Sequence, residues 1–207
     1  MPRINQQLGF TRYEADEYYK QALGAYQKGD YDTAVDAMKN AITALPRKAE
    51  YYAARGMMYL DDGVTQSALD DFNRALQLFP HEMLAHYGHG IVAFREKNWD
   101  KALEHFTAAY YADTQRGETL YYLALTYYHK RDFASATNLM KLANDRFEAT
   151  NDKRKADAAK WLRELGRMAE KTAKLLQGEP DKPATARIAN TGNLLEAGTP
   201  ETGDEDR

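Results

Sequence analysis

Cysteine is absent from the 207 residues, so a disulfide framework, a thiolate metal site and a cysteine nucleophile are all excluded. Serine is nearly absent too. Ser67 and Ser135 each sit one residue before an alanine of an apolar-periodic run, and neither lies in a nucleophile elbow. No glycine-rich phosphate loop precedes a Lys-Ser/Thr pair. No apolar run approaches the ~18 residues of a membrane span, and residues 1–12 lack a signal-peptide core. The expected location is therefore the cytoplasm. Charge of one sign is lacking as well: 28 basic and 31 acidic residues leave −3, which gives no whole-chain attraction to nucleic acid. What the chain has in excess is tyrosine, fifteen residues, most of them in the first two-thirds.

The chain repeats itself. Ala34, Ala68, Ala102 and Ala136 are 34 residues apart, and Ala41, Ala75, Ala109 and Ala143 keep the same interval. Between them Met38, Phe72, Phe106 and Met140 stay in step, and upstream so do Tyr18, Tyr52, His86 and Leu120, then Ala22, Gly56, Gly90 and Ala124. Pro46 and Pro80 close the first two units; Thr114 and Glu148 stand at the equivalent places in the others. Four units follow without insertion, at 15–48, 49–82, 83–116 and 117–150. Each contains two helical runs, as with Tyr52, Gly56 and Tyr59 before Gly63, then Ala68, Phe72 and Ala75 before Pro80. Small residues at Gly56 and Gly90 let two backbones approach while Phe72 or Phe106 fills the adjoining space. One hairpin cannot bury all its apolar surface alone, so neighbours must stack.

At these residues the chain resembles the tetratricopeptide repeat family, whose pattern runs Trp-x₂-Leu-Gly-x₂-Tyr…Ala-x₃-Phe…Pro over 34 residues. The second unit matches best; Gln21, Arg55 and His89 depart from the leucine slot that Leu123 keeps. The resemblance implies an all-α, right-handed solenoid of four helix-turn-helix hairpins over residues 12–150. It implies a binding scaffold without naming the partner.

The ends are not repeats. Thr11-x-x-Glu14 reads as a capping box that starts the first helix, leaving residues 1–11 as a flexible lead. Residues 151–178 read as an amphipathic capping helix, with Ala158, Trp161, Leu162, Leu165 and Met168 on one side. Residues 179–207 hold three prolines, no aromatics and seven acids against three bases, a composition expected to stay disordered.

Chemistry-bearing groups are few. Asp61-Asp62 and Asp70-Asp71 read as solvated surface at a turn and on a helix. His81, His86 and His89, with Glu82, have spacing that could share a metal, but His86 and His89 occupy packing slots of the repeat and read as packed histidines. No enzyme activity, cofactor or metal is expected.

The informative feature is a second apolar line beside the core line of the first helices. It reads Tyr19, Leu23, Tyr26; Ala53, Met57, Leu60; Tyr87, Ile91, Phe94; and Tyr121, Leu125, Tyr128. Part of it must be packing between neighbours. Left open at ~60 Å² per position it would total ~700 Å², more than the largest patch of most monomers. By the family resemblance this line faces a concave groove, so the expected occupant is an apolar peptide or helix of a protein partner, the chain's own terminus or a second copy of the chain. Tyrosine suits such a surface, joining broad contact area to a polar tip. Chaperone-binding members of the family hold C-terminal carboxylates with a basic-and-asparagine clamp. The corresponding positions here are Tyr19, Leu23, Ala54, Leu84 and Gly88, which disfavours that partner.

Lys160, Arg163, Arg167, Lys171 and Lys174 line up on one face of the last helix. The plain expectation is a solvated face with pairs such as Lys160–Glu164 and Glu170–Lys174. The alternative is a face for nucleic acid or another acidic partner, masked by the acidic tail.

Overall fold

The computed structural model describes the backbone of residues 4–177 and the side chains of residues 11–171. Among the described residues there are nine helices and no strand: α1 (Ile4–Gln27), α2 (Tyr31–Ala44), α3 (Ala49–Asp61), α4 (Thr65–Leu78), α5 (Met83–Arg95), α6 (Trp99–Ala112), α7 (Gly117–His129), α8 (Phe133–Ala149) and α9 (Lys155–Gln177). Residues Met1–Arg167 make one compact unit and Met168–Arg207 a second, of which the described part is the end of α9. In the first unit α1 pairs with α2, α3 with α4, α5 with α6 and α7 with α8, and each hairpin packs on the next.

The 34-residue period is a burial period. Ala34, Met38 and Ala41, and every equivalent triplet down to Ala136, Met140 and Ala143, are fully shielded from solvent. Phe72 explains the small residues beside it. A Cβ on Gly56 of its own hairpin would lie 2.5 Å from that ring, and one on Gly88 of the next hairpin 2.2 Å. One phenyl ring thus wedges between α3 and α5, and only glycine leaves room on both sides.

The turns repeat as well. Gly29, Gly63, Lys97 and Arg131, 34 residues apart, all take positive φ, at 76°, 85°, 60° and 65°. The residue after each caps the second helix. Asp30, Asn98 and Asp132 accept from the backbone N–H of Thr33, Lys101 and Ser135, whereas Val64 has no side chain able to do so. Ser135 also donates its hydroxyl to Asp132 at 2.7 Å, so this serine serves a helix start.

One boundary differs from expectation, and one helix outruns its equivalents. α1 begins at Ile4, seven residues before the expected cap at Thr11. Pro2 is the sole proline in this stretch, and Gly9 alone costs a helix about 1 kcal/mol, too little to break one anchored by Ala15 and Ala22 in the core. α8 runs to Ala149, three residues longer than α2, α4 or α6. Glu148 stands where proline would stop it, whereas α6, also without proline, is stopped where Asp113 accepts from the N–H of Gln115 at 2.9 Å. The tail expected to be disordered, 179–207, lies outside the described residues. No described helix is long and apolar enough to cross a membrane.

Candidate functional site

The second apolar line lies on the first helices of the hairpins, and its members do not share one environment. Tyr19, Leu23, Tyr26 and Met57 are half-buried, as are Phe94, Tyr121 and Tyr128. Ala53, Leu60, Tyr87, Ile91 and Leu125 are buried, Leu60 to 1% and Ile91 to 6% exposure. The line is therefore not one open strip, and the expected ~700 Å² patch is an overcount. Neighbouring helices take the middle of it into the core. Tyr87 packs against Phe106 and Tyr122 and lies under the Arg116 guanidinium, 4.9 Å from the ring centre. Trp161 of α9 meets the Tyr128 ring edge-on at 5.0 Å, so α9 covers part of the line on α7.

The α1–α3 stretch is the more open part, and its polar tips are fixed. Tyr19 stacks on Tyr51 at 5.2 Å and donates its hydroxyl to Glu50 at 3.1 Å. Burial, reinforced by the Glu50 charge, pushes the Tyr19 phenol up to about 12. Tyr26 donates to Asp61, and burial followed by that hydrogen bond raises its phenol too. Both rings stay protonated at neutral pH and are held in one orientation, packed with Leu23 against the core of the first hairpin.

Lys160, Arg163 and Arg167 are exposed on α9 in the first unit, and Lys171 is exposed in the second; the Lys174 side chain lies outside the described residues. The expected Lys160–Glu164 pair is replaced by one between Arg167 and Glu164. Asp157, Lys160, Trp161, Glu164 and Arg167 line a shallow recess of about 190 Å³, so acids and bases alternate along this face.

Asp71 departs from the expectation of a solvated acid. It is not solvated surface: it is 6% exposed and receives a forked pair of hydrogen bonds from Arg55, both at 2.7 Å. The signal was available in the register, because Arg55 fills the leucine slot of its first helix and Asp71 lies opposite on the second. The same two slots in the third hairpin hold His89 and His105, stacked at 4.8 Å. His105 was missed for the same reason. Among the described residues no three His, Asp or Glu side chains converge as metal ligands; His86 faces His105 and the Pro80 carbonyl instead.

Comparison with known proteins agrees with this architecture. The tetratricopeptide repeat family profile matches residues 19–82 and 60–118. The chain is 31% identical over 88 residues to the human protein SGT1 homolog, covering 42% of this chain and 24% of that protein, so it spans about a quarter of that relative's length. Among solved structures it superposes on the first repeat domain of Spaghetti (RPAP3) bound to an HSP90 peptide, with a TM-score of 0.52 and 18% identity over 56% of this chain and 94% of that one. It also superposes on YrrB, a repeat protein with an unusual peptide-binding site, at a TM-score of 0.52 and 24% identity over 72% and 75% of the two chains. At such identities the likeness is one of fold. The 34-residue register, the fully buried triplets of two alanines around a methionine or phenylalanine, and the profile match converge on one conclusion: the chain belongs to the tetratricopeptide repeat family and has the fold of a protein-interaction scaffold.

Proposed function

We propose that the chain is a non-catalytic scaffold that grips an apolar helix or peptide on the first-helix face of its first two hairpins. Tyr19, Leu23, Tyr26 and Met57 make the contact. The observation that carries this reading is the pair of half-exposed tyrosines whose hydroxyls are tied to Glu50 and Asp61. Their ring faces are oriented before any partner arrives, which lowers the ordering cost of binding. Peptide binding by RPAP3 and YrrB on the same fold supports the class of partner, not its identity. The slots where a carboxylate clamp would need basic and asparagine side chains are apolar, so a side-chain anchor, aromatic or aliphatic, is the recognition element.

Ile91 and Leu125 are unsuitable for testing this, because a charge at either buried position would unfold the hairpin. Leu23→Asp and Met57→Asp place the charge on the half-buried part instead. Peptides selected for binding from an amphipathic-helix library should bind each variant at least ~10-fold more weakly by fluorescence anisotropy, with the far-UV spectrum unchanged. Equal affinity for both variants and wild type would end the proposal.

A further inference from the structure

Three imidazoles from two helices meet inside the third hairpin. His86 and His89 come from α5, His105 from α6. His89 lies nearly parallel to His105, with ring centres 4.8 Å apart and 15° between planes, and its other side leans on Phe72 at 5.6 Å. His86 Nε2 is 3.0 Å from the Pro80 carbonyl, which can only accept, so that nitrogen carries the proton. The bare Nδ1 of neutral His86 then accepts from Nδ1–H of His105, 3.3 Å away. This arrangement uses one proton per ring, and a second proton on His105 would place a cation against the face of His89.

The surroundings on balance oppose that cation. A recess of about 400 Å³ opens beside the pair, lined by Leu69 of α4, His89, Val92 and Ala93 of α5, Glu96 of the turn, and Lys101, Glu104 and His105 of α6. Glu104 favours a proton on His105, while Lys101 and His86 oppose it. From α4, Leu69 lines the recess and Phe72 leans on His89.

We propose that the stacked His89–His105 pair makes the third hairpin a proton-sensitive joint, closed while both rings are neutral and loosened when either takes a second proton. Burial, with the neighbouring imidazoles, pushes His89 down to about 4, and burial, with the His86 and Lys101 charges, lowers His105. The sign follows from linkage. Each histidine takes its proton near pH 6.5 in the unfolded chain and only lower in the folded one, so stability is whole above ~6.5 and is lost as pH falls from there toward 4. α5 also carries Tyr87, Ile91 and Phe94, so the joint connects acidity to the middle of the apolar line.

The test uses the full chain. Wild type should lose about 5 °C in Tm between pH 7.5 and 5 through this pair, after allowing for its partial exposure. His89→Leu combined with His105→Leu copies the Leu123 and Leu139 that fill these slots in the fourth hairpin, and should flatten that slope. His129→Phe is the control, because His129 is also lowered by burial but lies on α7, stacked on Trp99. In parallel, NMR titration of the wild-type chain should place both His89 and His105 below the ordinary histidine value of about 6.5. Titration of both rings at or above that ordinary value, or an acid slope in the folded double variant as steep as wild type, would overturn the proposal. If the double variant does not fold, the wild-type titration decides alone.

Discussion

The second and third hairpins share one backbone plan and solve its interior differently. In the slots where the family places leucine and its partner, hairpin two holds Arg55 and Asp71 joined by a forked ion pair, and hairpin three holds two stacked histidines. Their turns differ in the opposite sense. Hairpin two has glycine at the positive-φ position but Val64 at the cap; hairpin three has Asn98 at the cap but Lys97 at positive φ. The fold therefore holds backbone conformation and helical register at these sites while tolerating different side-chain size and polarity. Each hairpin then carries its own local weakness.

The comparison breaks most sharply at Asp71. Asp71→Ala strands Arg55, whose side chain is 17% exposed, and should cost about 3–5 kcal/mol by urea denaturation. Asp70→Ala, one residue earlier on the exposed face, should stay within ~0.5 kcal/mol. Replacing Arg55 and Asp71 together by leucine should restore most of the loss, because an apolar pair leaves no uncompensated charge. A loss of similar size at Asp70 would remove the distinction between buried pair and solvated acid.

The contact between the two hairpins is the next weak point. Gly88→Ala puts a methyl 2.2 Å from the Phe72 ring and should cost about 1–3 kcal/mol. Gly24→Ala has open space around it and should be neutral or slightly stabilising. Smaller still are the repairs. Val64→Asp gives hairpin two the cap its neighbours have, on a backbone already at φ −86° and ψ 67°, and should add about 1 kcal/mol. Lys97→Gly relieves the left-handed turn of hairpin three and should add ~0.5 kcal/mol, the relief being partly offset by the freer unfolded chain. Thermal denaturation of the four variants would rank them, and a stabilising Gly88→Ala would sink the wedge account of Phe72.

Legibility followed the kind of constraint. The buried alanine triplets, the hairpin turns and the number of repeats could be read because they recur at a fixed interval, and every recurrence is a further sample of the same demand. The start of α1 could not, since a capping-box pattern is satisfied by many interior threonines and nothing downstream reinforces it. On the apolar line, Leu23 and Leu60 have the same chemistry and similar spacing, yet one is half-open and the other 1% exposed. Spacing along a helix fixes which side chains share a face, and the neighbouring helix fixes whether that face stays open.

By itself the sequence determined the helical hairpins, their register and the residues that must be small, because those follow from local periodicity and the volume of the one methionine or phenylalanine per repeat that fills the space between the helices. Tertiary structure alone decided which polar residues became partners. Arg55 and Asp71 are 16 residues apart, as are His89 and His105, and each pair meets only when two helices fold against each other. The same packing decided that Tyr19 and Tyr26 of α1 stay half-open while Tyr87 is closed over, since burial is a property of neighbours and a single helix has none.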